Sequence, residues 1–200
     1  MDPGRERIYR LLLTYPQSSW MQKDLASRAR CSRGYVSRLV GELVEAGVLA
    51  RPYKNRVVLT GPSKLLTLWA ARRRLPTPTF VVTRQPPEKV ESVLAVTPGT
   101  ALTLFRAAWH RTKFMAATAV EAYVPEGDLR SVAERLGDPT TEPTSVVLYP
   151  TEGGELEGAE RAEDVPLVSV PQNVVDLIAF GGQGPRVAMH LARAGGLLEA

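Results

Sequence analysis

The chain is short of the residues that build disulfides and metal sites. Its 200 residues include one cysteine, Cys31, and two histidines, His110 and His190. A single cysteine cannot form an internal disulfide, and the two histidines have no partners at ligand spacing. We therefore expect a reduced protein that holds no metal ion and no cofactor.

Long apolar runs and catalytic signatures are also missing. No stretch approaches the roughly 20 apolar residues of a membrane span, and the opening MDPGRER lacks the apolar segment of a signal peptide. The chain has no Ser-His-Asp set, no paired carboxylates on a defined scaffold and no nucleotidyltransferase signature. We expect a cytoplasmic protein that does not bind membranes and is not an enzyme.

Positive and negative charge are unevenly divided along the chain. Residues 1–75 carry 15 Lys and Arg against 5 Asp and Glu, a formal charge of +10, whereas residues 76–200 carry 10 against 16, a formal charge of −6. The sign changes at the Pro-Thr-Pro segment 76–78, which has the composition of a linker. This asymmetry predicts a basic domain for a polyanion, residues 1–75, joined to a second domain, residues 79–200.

The basic half has helical periodicity followed by a hairpin pattern. Apolar residues at helical spacing predict helices over residues 5–15, 20–29, 33–46 and 63–75. Ser18-Ser19 and Ser32 are in position to cap the second and third helices, and Gly47 follows the third. Two strand-like runs, 48–51 and 56–60, flank a turn at 52–55.

Three helices and a basic hairpin in this order predict a winged helix-turn-helix domain. The third helix would enter the DNA major groove. In its first two turns, the side chains that do not belong to the apolar stripe would then reach bases or phosphates. Its N-terminal amides, capped by Ser32, suit a phosphate. The candidate DNA contacts on this domain are Lys23, Arg30, Ser32, Arg33, Gly34, Tyr35, Ser37, Arg38, Arg51, Lys54, Asn55 and Arg56.

The acidic half mixes helical and strand patterns, so the fold class expected for the whole chain is α+β. Helices are expected at 88–95, 100–110, 128–136, from Pro171 to about 180, and 186–194. Strands are expected at 80–83, 117–124, 145–149 and 167–170. The acidic, glycine-rich segment 151–163 has the composition of a mobile loop.

Several motifs resemble known families. WMQKDLA at 20–26, CSRGYVSRLVGEL at 31–43 and EAGVL at 45–49 resemble winged-helix transcription regulators in general. VSVPQNVVDLIAFGGQGP at 168–185, followed by Ala188 and Leu191, resembles the C-terminal domain of AbiEi-type antitoxins, as do GTAL at 99–102 and EAYVP at 121–125. Val170 and Gln183 stand where that family usually has proline and arginine.

The second resemblance implies the antitoxin of a type IV toxin–antitoxin system. Such a protein binds double-stranded DNA upstream of its own gene, represses that operon and counters a nucleotidyltransferase-type toxin without forming a stable complex with it. Two other hypotheses remain open from the residues: a non-regulatory DNA-interacting defence module, and a protein–protein adaptor built on a winged helix. No coiled-coil segment is present, so a monomer and a weak dimer are equally compatible with the sequence.

Overall fold

The structure is a computed structural model that describes residues 2–141 and 144–198. The chain is of mixed α+β class, with 49% of residues in helices and 19% in strands. It divides into two compact units, one formed by residues 1–73 and 197–200 and the other by residues 74–196. The first unit thus ends just before the proline-containing segment 76–78. It also includes Leu197, which is buried and accepts a hydrogen bond from Ser63 Oγ through its carbonyl.

The described residues of the first unit form four α-helices and a small sheet. Its elements in chain order are α1 Pro3–Thr14, β1 Trp20–Met21, α2 Gln22–Arg28, α3 Arg33–Glu45, β2 Leu49–Tyr53, β3 Arg56–Leu59 and α4 Pro62–Ala70. The three strands lie in the order β1-β3-β2, and all neighbouring pairs are antiparallel.

Helix α3 follows the sequence pattern closely. Its N-cap is Ser32, whose hydroxyl accepts the backbone N–H of Tyr35 at 3.2 Å. Four apolar residues at helical spacing form its buried stripe, namely Val36, Leu39, Val40 and Leu43. Gly47 has φ +66°, the left-handed conformation that the residue after a helix end favours and that glycine adopts without strain.

The start of α2 differs from the sequence prediction. Trp20 and Met21 form a short strand, and α2 begins only at Gln22. Trp20 pairs with Val57 and Met21 with Arg56 on β3, and Trp20 is buried. Pairing with a strand more than 30 residues away therefore prevails over the local helix signal.

In the second unit, residues 74–141 and 144–196 form a seven-stranded mixed sheet and five α-helices. Its elements are β4 Thr79–Val82, α5 Pro87–Ala95, β5 Ala101–Leu102, α6 Leu104–Thr112, β6 Val120–Pro125, the 3-10 turn η1 Glu126–Asp128, α7 Leu129–Leu136, β7 Asp138–Thr140, β8 Val146–Thr151, η2 Gly154–Leu156, β9 Glu160–Ala162, β10 Val165–Leu167, α8 Val170–Phe180 and α9 Gly184–Ala194. The strand order is β7-β4-β8-β6-β5-β10-β9. Strands β6 and β8 are parallel, as are β5 and β10.

Three sequence predictions in this unit are wrong. The expected strand at 167–170 keeps only Leu167, because β10 spans Val165–Leu167 and α8 begins at Val170. The expected helix at 100–110 begins later, because Ala101 and Leu102 form a buried strand between β6 and β10. The expected loop at 151–163 contains η2 and strand β9, which pairs with β10 as a hairpin. Short strands that are stabilised by their neighbours carry little periodicity of their own.

The two faces of the large sheet have different chemistry. One face packs against apolar residues of α5 and α7, such as Val90, Leu94 and Leu136. On the central strand β6, Tyr123 alternates with the core residue Ala122 and therefore points to the opposite face. There its hydroxyl donates to Asp176 Oδ2 of α8 at 3.0 Å.

Candidate nucleic-acid interface

Helix α3 separates an apolar inner face from a polar outer face. The residues of its first two turns that are exposed are Arg33, Gly34, Ser37 and Arg38. They lie at spacings of one, four and five, so they share one side of the helix. A Cβ built on Gly34 would meet no atom within 4 Å, so the backbone at this point is open to an approaching partner. This side combines two guanidinium groups, a hydroxyl and accessible backbone.

Tyr35 does not belong to this outer face. Its hydroxyl oxygen is enclosed, and its ring lies against Gly4 at the start of α1, where Cε1 is 3.4 Å from a Cβ built on that glycine. Burial together with the Asp2 carboxylate raises the pKa of Tyr35 to about 12. The side chain thus lies between α1 and α3 and not on the outer side with Arg33 and Arg38, and its contact with DNA stays a prediction.

Ser32 has a defined structural role at the start of α3. Its side chain satisfies the N–H of Tyr35, which is one of the amides that a helix N-terminus leaves without an intrahelical partner. The residue itself is exposed. The cap thus holds the N-terminal end of α3, where the helix dipole favours an anion.

Other cations lie around this helix. Lys23 on α2 and Arg30 in the turn before α3 are exposed, and Arg30 has φ +52°, which marks the tight reversal between the two helices. By contrast, Arg28 is engaged within the unit: Nη2 donates to the Tyr15 hydroxyl at 2.8 Å, and the guanidinium lies 4.5 Å from the Tyr15 ring centroid. Lys23 and Arg30 therefore remain the candidates on this side.

The β2–β3 hairpin carries a second cluster of basic residues, in addition to those on and around α3. Arg51, Lys54 and Asn55 are exposed, and Asn55 has φ +69°, a conformation that asparagine tolerates well in tight turns. Arg56 is exposed too, but its Nη1 donates to the Ser19 carbonyl at 3.3 Å. Arg56 thus also fastens the hairpin to the segment before β1.

Sequence reasoning missed one residue of the hairpin. Tyr53 is 72% exposed at the end of β2, directly before the turn. Aromatic residues are usually expected in the core. The sequence pattern of a hairpin does not by itself show on which face of the sheet a side chain lies. The signal available in the sequence was its place beside Lys54 and Asn55.

The second unit buries a small network of polar side chains. Asp176 of α8 is fully buried and accepts hydrogen bonds from Thr103, Tyr123 and Gln172 at 2.9 to 3.0 Å. On the same face of β6, Glu121 is buried and accepts the backbone N–H of Arg106 at 3.1 Å. Burial raises the pKa of Glu121 to about 8. This network lies inside the fold and forms no open site.

Neither a metal-binding cluster nor a membrane-spanning helix is found among the described residues. Within residues 2–141 and 144–198, no group of three or more His, Cys, Asp and Glu side chains is placed to hold a metal ion. None of the helices among these residues is long and apolar enough to span a membrane. Comparison with protein-family models, curated proteins and solved structures finds no match to this chain.

Proposed function

We propose that this protein binds double-stranded DNA through a winged helix-turn-helix domain in its first unit and regulates transcription. The observation that carries the proposal is the outer side of α3, where Arg33, Ser37 and Arg38 surround the open backbone of Gly34. A helix with this outer side fits the major groove, and guanidinium groups near its N-terminus can pair with guanine edges or phosphates.

The order of the neighbouring helices and strands supports the proposed winged helix-turn-helix function. Helix α2, a turn of four residues and α3 are in helix-turn-helix order, and the β2–β3 hairpin follows as the wing. Residues 1–75 have a formal charge of +10, which favours a polyanion. If about six phosphates are contacted, the logarithm of the binding constant falls with the logarithm of salt concentration at a slope of about −5.

The regulatory role is proposed from the resemblance of residues 168–185 to AbiEi-type antitoxins. On that basis the protein represses its own toxin–antitoxin operon in the cytoplasm and counters a nucleotidyltransferase-type toxin without a stable complex. The second unit would then serve regulation rather than catalysis. Its polar network around Asp176 is buried, which supports a structural role for the polar residues of the motif.

The test is a salt-dependent titration with two duplexes of equal composition. One covers the region upstream of the gene, and the other is a scrambled version of it. The proposal expects a preference of roughly 10³-fold or more for the upstream duplex. Equal, weak binding to both duplexes would favour a non-specific DNA module. Absence of binding to either would favour the protein–protein adaptor.

A matched pair of variants assigns the binding to α3. The triple variant R33A/S37A/R38A removes two positive charges from the outer side of the helix. The control R84A/R130A removes two exposed arginines from the second unit, so both variants change the net charge equally. We expect specific binding to be lost in the first and kept in the second. Equal loss in both variants would show that only total charge matters and would contradict the assignment to α3.

A further inference from the structure

A cleft of about 380 Å³ lies at one end of the large sheet in the second unit. Its position follows from β6 and β8, which are parallel neighbours that end side by side, with Pro125 opposite Thr151. Both of these residues line the cleft. The cleft therefore lies outside the carboxyl ends of two adjacent parallel strands, and its volume is within the range of about 300 to 1,000 Å³ that is typical of ligand pockets.

The path of the chain explains why the sheet leaves a cleft at this point. After β6 the chain continues through η1 and α7 to β7, the strand at one edge of the sheet. After β8 it continues through η2 to β9, the strand at the opposite edge. Connections that leave neighbouring strands for opposite edges open a crevice between them, and open α/β sheets bind their ligands in such crevices.

Hydrogen bonds fix the wall of the cleft that follows β8. The buried Thr151 hydroxyl accepts the backbone N–H of Gly153 at 2.8 Å and donates to Glu155 Oε2 at 2.6 Å. Gly153 has φ +93°, a left-handed conformation that glycine adopts without strain, and it lines the cleft. This wall is formed before any ligand arrives, so binding would cost little conformational entropy of the chain.

The surface of the cleft is mostly apolar. A Cβ built on Gly99 would lie 2.9 Å from Pro125 Cγ, so glycine lets the segment before β5 pack directly on the end of β6. The Pro125 ring and the half-buried side chain of Leu156 on η2 contribute apolar surface to the lining. A ligand with a hydrocarbon body would remove this surface from water, which favours binding.

The charged residues that line the cleft are both acidic. Glu126 of η1 and Glu152, which follows β8, are exposed at the cleft, and no lysine, arginine or histidine is among the described residues that line it. The two carboxylates are too few for a divalent metal ion, because Ca²⁺ and Mg²⁺ each take at least six oxygen ligands in regular geometry. The lining instead fits a positive charge that is attached to an apolar body.

We propose that this cleft binds a small organic cation, namely an amine with a hydrocarbon body. The ammonium group lies beside the carboxylates of Glu126 and Glu152, where it donates charge-assisted hydrogen bonds. The hydrocarbon body lies against Pro125 and Leu156. The inference assigns a ligand to the second unit and does not depend on the DNA-binding function proposed for the first.

The experiment titrates the isotope-labelled full chain with hexylamine, hexanol and hexanoate and follows its backbone amide NMR signals. The probes share a similar hydrocarbon chain and differ in the charge of the head group. We expect hexylamine to shift the amide signals of Gly99, Gly127 and Gly153, which line the cleft, and to bind roughly tenfold more tightly than hexanol or hexanoate. Propylamine has three fewer CH₂ groups and should bind roughly tenfold more weakly than hexylamine.

A matched pair of double variants assigns the selectivity to the two carboxylates. E126Q/E152Q should weaken hexylamine binding roughly tenfold and leave hexanol binding unchanged, because only the charge of the lining is altered. The control E134Q/D138N removes two exposed carboxylates that do not line the cleft, and Asp138 begins β7 at the opposite end of the sheet. It should bind hexylamine as the wild type does.

Each contrary outcome overturns the inference at a defined point. If hexylamine shifts none of the amide signals of the cleft residues, the cleft is not its binding site. Equal affinity for hexylamine and hexanol would contradict the choice of a cation, and so would equal loss of affinity in the two double variants. An affinity that is the same for propylamine and hexylamine would show that the apolar lining is not used.

Discussion

The backbone N–H of Arg106 donates to Oε2 of Glu121 across 3.1 Å, in a place where the carboxyl group is buried beneath the helices of the second unit. Burial disfavours the charged form and raises the pKa of Glu121 to about 8. In the unfolded chain the same group ionises near its ordinary value of 4.5. Between these two values the folded state holds a proton that the unfolded state releases.

This difference predicts that stability falls as pH rises. The contribution of Glu121 is fully present below about pH 4.5 and is lost progressively up to about pH 8. Each unit of pKa difference corresponds to about 1.4 kcal/mol, so the total loss is on the order of several kcal/mol. The measurement is urea unfolding of the full chain at pH 5, 6.5 and 8. Glu121→Gln keeps an acceptor without the titration, so its free energy of unfolding should fall less over this range. Parallel curves for the two proteins would contradict the assignment.

Replacing Gly34 of α3 by alanine should have opposite effects on protein stability and on DNA binding. Gly34→Ala should stabilise the protein by up to about 1 kcal/mol, because glycine is a poor helix former, and a Cβ there meets nothing within 4 Å. The same methyl group should weaken DNA binding roughly tenfold, because it would lie where the backbone approaches the groove most closely. Thermal unfolding and the duplex titration measure the two effects.

Gly41→Ala is the control for this trade-off. Gly41 is also on α3 with open space around a Cβ, but it lies seven residues further along, about 10 Å from Gly34 at the helical rise. It should show the gain in stability with little loss of affinity. Equal loss of affinity in both variants would mean that no special approach occurs at Gly34.

The sequence predicted those parts of the chain in which local and tertiary preferences agree. Helix α3, its cap at Ser32 and the glycine after its end were all visible, because capping, periodicity and termination point to the same segment. The mixed α+β class followed from the alternation of patterns along the second half. The basic outer side of α3 could be read from the residues outside the apolar stripe.

Other features depended on partners far along the chain. The sequence pattern predicted that a helix begins at Trp20, but Trp20 and Met21 form a strand because they pair with β3. The sequence predicted that Tyr35 points outward, but its ring packs between α1 and α3. Tyr53 was overlooked because its direction is set by a bulge that depends on the register of two strands. In each case the deciding contact lies outside the local window.

The two serines near the start of α3 should separate stability from binding. Ser32→Ala removes the side-chain acceptor of the Tyr35 N–H and should cost about 1 kcal/mol of the free energy of unfolding. Ser37→Ala replaces an exposed serine inside the helix, so stability should stay within about 0.5 kcal/mol of wild type, while operator affinity falls. Denaturant unfolding and titration of both variants provide the measurement. A stable S32A protein would contradict the capping role, and an S37A protein with full affinity would contradict the contact.

Tyr35 and Arg38 lie three positions apart on α3, but alanine substitutions at the two positions should affect different properties. Tyr35→Ala should lower stability, whereas Arg38→Ala should weaken the salt dependence of DNA binding. Tyr35→Ala empties the space beside Gly4 and should destabilise the protein by roughly 2 kcal/mol, somewhat less than a fully buried aromatic residue. Folded Y35A protein should keep the wild-type salt slope, since no charge is lost. Arg38→Ala changes an exposed side chain, so unfolding should shift by no more than about 0.5 kcal/mol, while the salt slope decreases in magnitude by about one. If Y35A instead changed the slope and left stability intact, Tyr35 would have to turn outward on binding, and the outer side of α3 would be larger than the free protein displays.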